Sequence, residues 1–263
     1  MTSVVNQILG SADYFVLMLF RVGGLVMASP VFGRVNIPAR VKIGLVVALT
    51  FLFFTLFPQT AAIEYSTLMG FMLVCAGELL LGIALAFVTN IFFALTFVAG
   101  HMIDMQIGFG IVNVYDPQNN TQVPMIGNVL NLLLLLVFFT VDGHLQLINI
   151  VYLTIEKMPV GSLVFTPGIG LAALEVFARA FLLGVMVALP IVASGLTLEI
   201  ILGVVMRMVP QIHMFVVGVP LKLIIGLVVL MVSLPVFVNF SSTIFSQMFD
   251  GIGHMFSMFV EAV

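Results

Sequence analysis

The sequence predicts an all-α integral membrane protein. Of 263 residues, 62% are hydrophobic and 7% are charged; a soluble domain carries about 25% charged residues. The mean hydropathy is +1.32. Several apolar runs approach the ~20 residues that carry a helix across a bilayer core. Together they give about six apolar helical segments arranged in hairpins. The net charge of −3 comes without a basic patch, which excludes a nucleic-acid-binding protein.

The first apolar segment is residues 11–30, with Arg21 inside it. A cation at mid-helix costs ~3 kcal/mol or more in lipid. Arg21 is therefore expected to face a partner, a cavity or an interface, or else to snorkel to the headgroups. No cationic stretch precedes this run, so the first helix is expected to stay in the mature protein.

Residues 30–42 hold Arg34, Arg40 and Lys42, with Pro30 and Pro38. This is the densest cationic loop, so the positive-inside rule puts it in the cytoplasm and the N-terminus opposite. Residues 43–57 are short for a span and end at Pro58; residues 59–67, charged only at Glu64, are expected outside. Residues 68–99 are overlong and contain Glu78, Gly82 and Asn90. Short and overlong helices side by side suit helices stacked in an assembly, though tilt also absorbs mismatch.

Residues 100–124, GHMIDMQIGFGIVNVYDPQNNTQVP, are the longest polar interruption. They carry Asp104, Gln106, Asn113, Asp116, Gln118, Asn119, Asn120 and Gln122, and no Lys or Arg. Gly108 and Gly110 flank Phe109, with Ile111 next. A structureless connection this long is more often functional than plain. At membrane depth such backbone is tolerated only when buried in protein or lining a watery cavity. The segment is expected to lie in or over a pore.

Residues 125–141 are apolar and are broken by Asp142-Gly143-His144. Residues 145–155 are too short to span alone, so they continue the helix, kink or re-enter. Residues 156–170 read as a Pro/Gly-rich connector. Residues 171–193 form a span in which Glu175 and Arg179 share a face at i, i+4, as a self-satisfied pair or as a contact with a partner subunit. Residues 194–213, with Glu199, Arg207, Pro210 and Gln211, read as a cytoplasmic loop region. Residues 214–237 are the last span, with Pro220, Lys222 and Pro235 bending or interrupting it. Residues 239–263 form an amphipathic tail, with Phe240, Ile244, Met248, Ile252, Phe256 and Phe259 at helical spacing. The tail lacks the cations of a membrane-surface helix, so it is expected to pack on another subunit or on its own chain. The runs PARVKIGLVV at 38–47 and PLKLIIGLVV at 220–229 align without gaps. A transporter-type repeat competes there with chance in low-complexity sequence.

Motifs of enzyme chemistry are missing. There is no HExxH helix, GxSxG elbow or GxxxxGK[ST] loop. His101, His144, His213 and His254 lie far apart, without metal-ligand spacing. Asp104 three residues after His101 could share a helix face with it, but reads as a polar loop entry rather than a metal site. Cys75 is the single cysteine and reads as packing. The expectation is a non-enzyme without a cofactor. Tryptophan is absent and tyrosines are four, so the aromatic belt of a lipid-facing protein is thin.

Several stretches together resemble the FliR family, the export-gate subunit of flagellar type III secretion. They are Arg21-Val-Gly-Gly, Pro30-Val-Phe-Gly, Ile37-Pro-Ala-Arg-Val-Lys42 and Glu78. They continue through Gln106-Ile-Gly-Phe109, Asp116-Pro117, Gly143-His144, Pro190 and Pro210-Gln-Ile-His-Met-Phe215 with Gly218, Pro220 and Lys222. His213 stands where the family pattern leads one to expect Asn. Virulence-type injectisome homologues share the pattern. The resemblance covers nearly the whole chain.

The resemblance implies a FliP-like region over 1–170, a FliQ-like hairpin over 171–238 and the tail over 239–263. It implies assembly with FliP and FliQ into a helical multi-subunit channel that admits unfolded flagellar export substrates. FlhB and FlhA are further implied partners. The implied location is the bacterial inner membrane, in the flagellar basal body, with the N-terminus periplasmic. Residues 106–121 would be a pore plug, with Gln106, Gly108, Phe109, Gly110 and Ile111 at the gate and Phe109 as its constriction. A small-solute secondary transporter is the alternative, supported by the weak repeat and the intramembrane charges. A purely structural assembly factor is the third reading.

Overall fold

The computed structural model describes residues 12–57, 67–109, 124–162, 168–209 and 217–260. Among them are seven α-helices and no strand: α1 Ala12–Ala28, α2 Ala39–Leu56, α3 Leu68–Ile107, α4 Met125–Thr140, α5 Gly143–Lys157, α6 Gly168–Met208 and α7 Val219–Val260. Helices α2, α3, α6 and α7 are long and apolar enough to cross a membrane. Helices α4 and α5 make a fifth span if that bent pair counts as one. The chain is an all-α membrane protein.

It divides into two compact units. The first comprises Met1–Ile91, Val141–Phe177 and Gln247–Val263, the second Phe92–Thr140 and Ala178–Ser246. Helices α3, α6 and α7 contribute to both.

In the first unit α1 and the first half of α3 cross at two glycines. A Cβ on Gly24 would lie 2.5 Å from the Leu79 carbonyl oxygen, and one on Gly82 would lie 2.3 Å from that of Arg21. Small residues let membrane helices approach until backbones touch. Leu17, Met18, Val22, Leu81 and Leu85 are buried around this crossing. The Asn90 amide of α3 donates to the Ala28 carbonyl at the end of α1, which satisfies one of the carbonyls a helix end leaves open. Tyr14 and Phe15 of α1 pack on Phe54 of α2, with ring centroids 6.1 and 5.6 Å apart.

In the second unit the second half of α3 meets α4 still more closely. A Cβ on Gly100 would lie 2.1 Å from the Gly127 Cα. The Asn131 amide of α4 donates to the Phe93 carbonyl at 3.3 Å and to the Thr96 hydroxyl at 3.2 Å. Phe138 makes edge-on contacts with Phe93 at 5.5 Å and Phe245 at 5.4 Å. Pro190 of α6 and Leu230 and Phe237 of α7 line an apolar cavity of about 230 Å³ in this unit.

The break expected at Asp142-Gly143-His144 is there. Asp142 sits in the left-handed region at φ 56°, which a short polar side chain tolerates, and α4 and α5 are bent by 68°. Three expectations need correction. Residues 194–208 are helical rather than loop. Glu199, Arg207 and the following Pro210-Gln211 suggested a loop, yet the helix runs on to Met208, and Ser194 Oγ donates back to the Ile191 carbonyl and Thr197 Oγ1 to the Ala193 carbonyl. Hydroxyls satisfied by the preceding turn do not end a helix. Residues 100–107 likewise belong to α3, where Asp104 is buried and accepts the Ile126 amide. The last span runs from Val219 through the amphipathic stretch to Val260 without interruption at Pro235. One lost backbone bond does not outweigh a long apolar helix held on both sides of it.

Candidate functional site

The segment after α3 has two described ends. Gly108 follows the helix with φ +99°, a conformation that L side chains rarely adopt. Its amide closes the helix on the Asp104 carbonyl at 3.1 Å, and Phe109 beside it is half-buried. The chain returns at Pro124, and the Ile126 amide in the first turn of α4 donates to Asp104 Oδ1 at 3.3 Å. Asp104 is 4% exposed. A carboxylate is well placed at a helix start, where amides lack intrahelical partners and the helix dipole is positive. Asp104 therefore ties together the two ends of the segment. The Gly100–Gly127 contact one turn earlier brings the backbones close enough for that bond to form.

The other polar site lies in the first unit. Arg21 is 1% exposed and Glu78 fully buried. The guanidinium meets the carboxylate in a two-pronged contact, Nε to Oε2 at 2.5 Å and Nη2 to Oε1 at 3.0 Å. Its remaining nitrogen, Nη1, donates to the Thr154 carbonyl at 3.1 Å and the Met158 carbonyl at 2.9 Å. These carbonyls lie at the end of α5, where a cation complements the helix dipole. Glu78 Oε1 also accepts the Gly161 amide at 2.7 Å. Both charges are thus paired and hydrogen-bonded, as buried charges must be.

The other sequence-predicted residues are dispersed. Gln106 is in the last turn of α3; Gly110 and Ile111 lie outside the described residues. Glu175 sits 3.5 Å from His254 in the first unit, and Arg179 is exposed on α6. Arg34 Nε donates to the Pro30 carbonyl at 3.2 Å, and Lys42 Nζ to the Gly33 carbonyl at 2.8 Å. These bonds fold the cationic turn on itself, with Arg40 exposed. Arg207 is exposed in the last turn of α6, and Pro210 and Gln211 lie outside the described residues. Among the described residues no group of His, Cys, Asp or Glu is arranged to hold a metal ion. The sequence reading missed the tie between Arg21 and Glu78, and the glycines at the crossings. Intramembrane charges of opposite sign were the available signal for the first; single glycines within apolar helices were the signal for the second.

The model of the family described as bacterial export proteins, family 1, matches residues 12–248. The chain belongs to this family. Three similar relatives bear the name flagellar biosynthetic protein FliR. That of Escherichia coli K12 is 33% identical over 233 residues, covering 88% of each chain. That of Bacillus subtilis 168 is 30% identical over 244 residues, covering 92% of this chain and 93% of the relative. That of Aquifex aeolicus VF5 is 28% identical over 258 residues, covering 96% of each. As a FliR-family chain it carries its family match across both compact units and both polar sites.

Proposed function

We propose that this chain is a subunit of the flagellar export gate. It forms the channel entrance with FliP-like and FliQ-like partners, and the segment after α3 serves as the pore plug for unfolded substrates. FlhB and FlhA homologues are further partners, and the setting is the bacterial inner membrane. The observation that carries the reading is the Asp104–Ile126 bond. It roots both ends of an uncharged-to-acidic polar segment on packed helices, while Gly108 gives the exit its freedom of direction. Phe109 stands at that exit, where an apolar ring excludes water from a closed pore. A segment without cations does not trap acidic substrates.

The charges that would support a solute transporter, Arg21 and Glu78, are consumed in holding helix ends. The test is purification of the tagged chain in mild detergent after co-expression with its genomic neighbours. Recovery of FliP-like and FliQ-like proteins in one complex supports the gate. A partner-free chain showing solute flux sinks it. Deleting residues 110–121 in the assembled complex is expected to raise ion leakage; unchanged conductance rejects the plug.

A further inference from the structure

We infer that Gly195 and Gly226 are positioning residues, through which the α6–α7 hairpin seats the last turn of α3 and sets where Gly108 and Phe109 leave it. This rests on reading the segment after α3 as the plug, and it names what holds that segment's root.

The Lys222–Glu199 ion pair joins α7 to α6 in the second unit. Gly195 lies four residues before Glu199, and Gly226 four residues after Lys222. In an antiparallel pair both are one turn from the ion pair in the same direction, so they lie level. At that level they meet successive residues of α3. A Cβ on Gly195 would lie 2.5 Å from Cγ and Nε2 of Gln106. A Cβ on Gly226 would lie 2.6 Å from Cγ1 of Ile107. No side chain fits at such separations unless α3 moves or its side chains turn away.

Successive helix residues point about 100° apart, so one glycine receives each side chain and the turn is held from two directions. Ile107 is 1% exposed. Gln106 Nε2 is enclosed without a hydrogen-bond partner among the described residues, so shape rather than polar bonding holds that side. Glycine is a poor helix former, and two of them at one level have a packing reason. Gly108 is the counter-case: a Cβ there would meet nothing within 4 Å. Its glycine is required by φ, whereas the Cβ positions of Gly195 and Gly226 are occupied by side chains of α3.

The test uses the full chain in its assembled complex, with a compensating pair. Gly226→Ala is expected to lower secretion of flagellar protein by about tenfold through overpacking and to raise ion leakage, at normal abundance in the membrane. Adding Ile107→Ala removes the overlapping atoms and leaves its Cβ 3.4 Å away, an ordinary contact, so secretion and barrier return. Gly195→Ala alone is expected to have a milder effect, because the Gln106 atoms it meets belong to a flexible side chain. Wild-type secretion and leakage in Gly226→Ala overturn the inference, as does a pair no better than the single variant. If Gly226→Ala is lost from the membrane, the pair decides. Abundance and secretion restored together support the seat; abundance restored without secretion reduces the contact to packing and overturns it. Deletion of residues 110–121 is measured in parallel. No leakage there, with secretion rescued in the Gly226→Ala, Ile107→Ala pair, removes the plug and leaves the seat.

Discussion

The Arg21 guanidinium and the Glu78 carboxylate form a closed two-pronged pair whose spare hydrogen-bonding capacity goes to backbone. Arg21 holds the Thr154 and Met158 carbonyls, and Glu78 holds the Gly161 amide. The Gly24–Gly82 crossing lies within one turn of both residues and makes the reach short.

Breaking that pair from one side leaves a buried charge alone. Arg21→Ala or Glu78→Gln is expected to cost about 3–5 kcal/mol, read as lost abundance in the membrane and a lowered Tm in detergent. Replacing both residues by methionine is not expected to recover stability. The Met158 carbonyl and the Gly161 amide lose these side-chain partners as well, and a buried unsatisfied group costs about 1–3 kcal/mol; the Thr154 carbonyl keeps the Met158 amide. Wild-type stability in the double variant would show that those backbone bonds contribute little.

Gly100→Ala is expected to be poorly tolerated, because the new Cβ overlaps the Gly127 backbone and no side chain can move aside. Gly44→Ala in α2 is the control. Nothing lies within 4 Å of its Cβ position, and removing a helical glycine contributes about 0.5–1 kcal/mol. Thermal unfolding in detergent should separate the two in opposite directions.

Asp104→Ala removes the acceptor for the Ile126 amide. A hydrogen bond to a charged group contributes about 1.5–3 kcal/mol, so a loss of that order is expected, with raised ion leakage in the complex. Asp104→Asn keeps an acceptor oxygen and should fall between the two. Leakage equal in Asp104→Ala and wild type would show that the ends stay together without the tie.

The Lys222–Glu199 pair is 17% and 39% exposed on its two side chains. Lys222→Ala is therefore expected to change stability by no more than about 1 kcal/mol. Lys222→Glu places two like charges at the pair and should lower secretion, and Glu199→Lys added to it should restore secretion. Failure of the exchanged pair would mean that the pair does not set the register of α6 against α7.

Composition and run length were enough to reveal helices and a membrane, because apolar spans have few other solutions. The Asp142 break was legible because a polar triplet interrupts an unbroken leucine run. Helix ends were harder. Glu199 and Arg207 look like part of a loop in the sequence, and only the structure shows the helix running past them to Met208. The proposed plug root at Gln106-Ile-Gly-Phe109 stands out as a pattern in the sequence. Its seat does not, because Gly195 and Gly226 lie far from it along the chain and a lone glycine announces no partner. The Arg21–Glu78 tie spans 57 positions, beyond the reach of any local pattern.

The bond from Asp104 to the Ile126 amide ties together two positions 22 residues apart. For a flexible loop closed at such a tie, doubling the length adds only about 0.6 kcal/mol of closure entropy. Length in the middle is therefore nearly free to drift between relatives or to accept an inserted reporter peptide, while the anchored ends are not. Insertions at 113–120 should spare the assembled chain, and the same peptide placed at 104–108 should not.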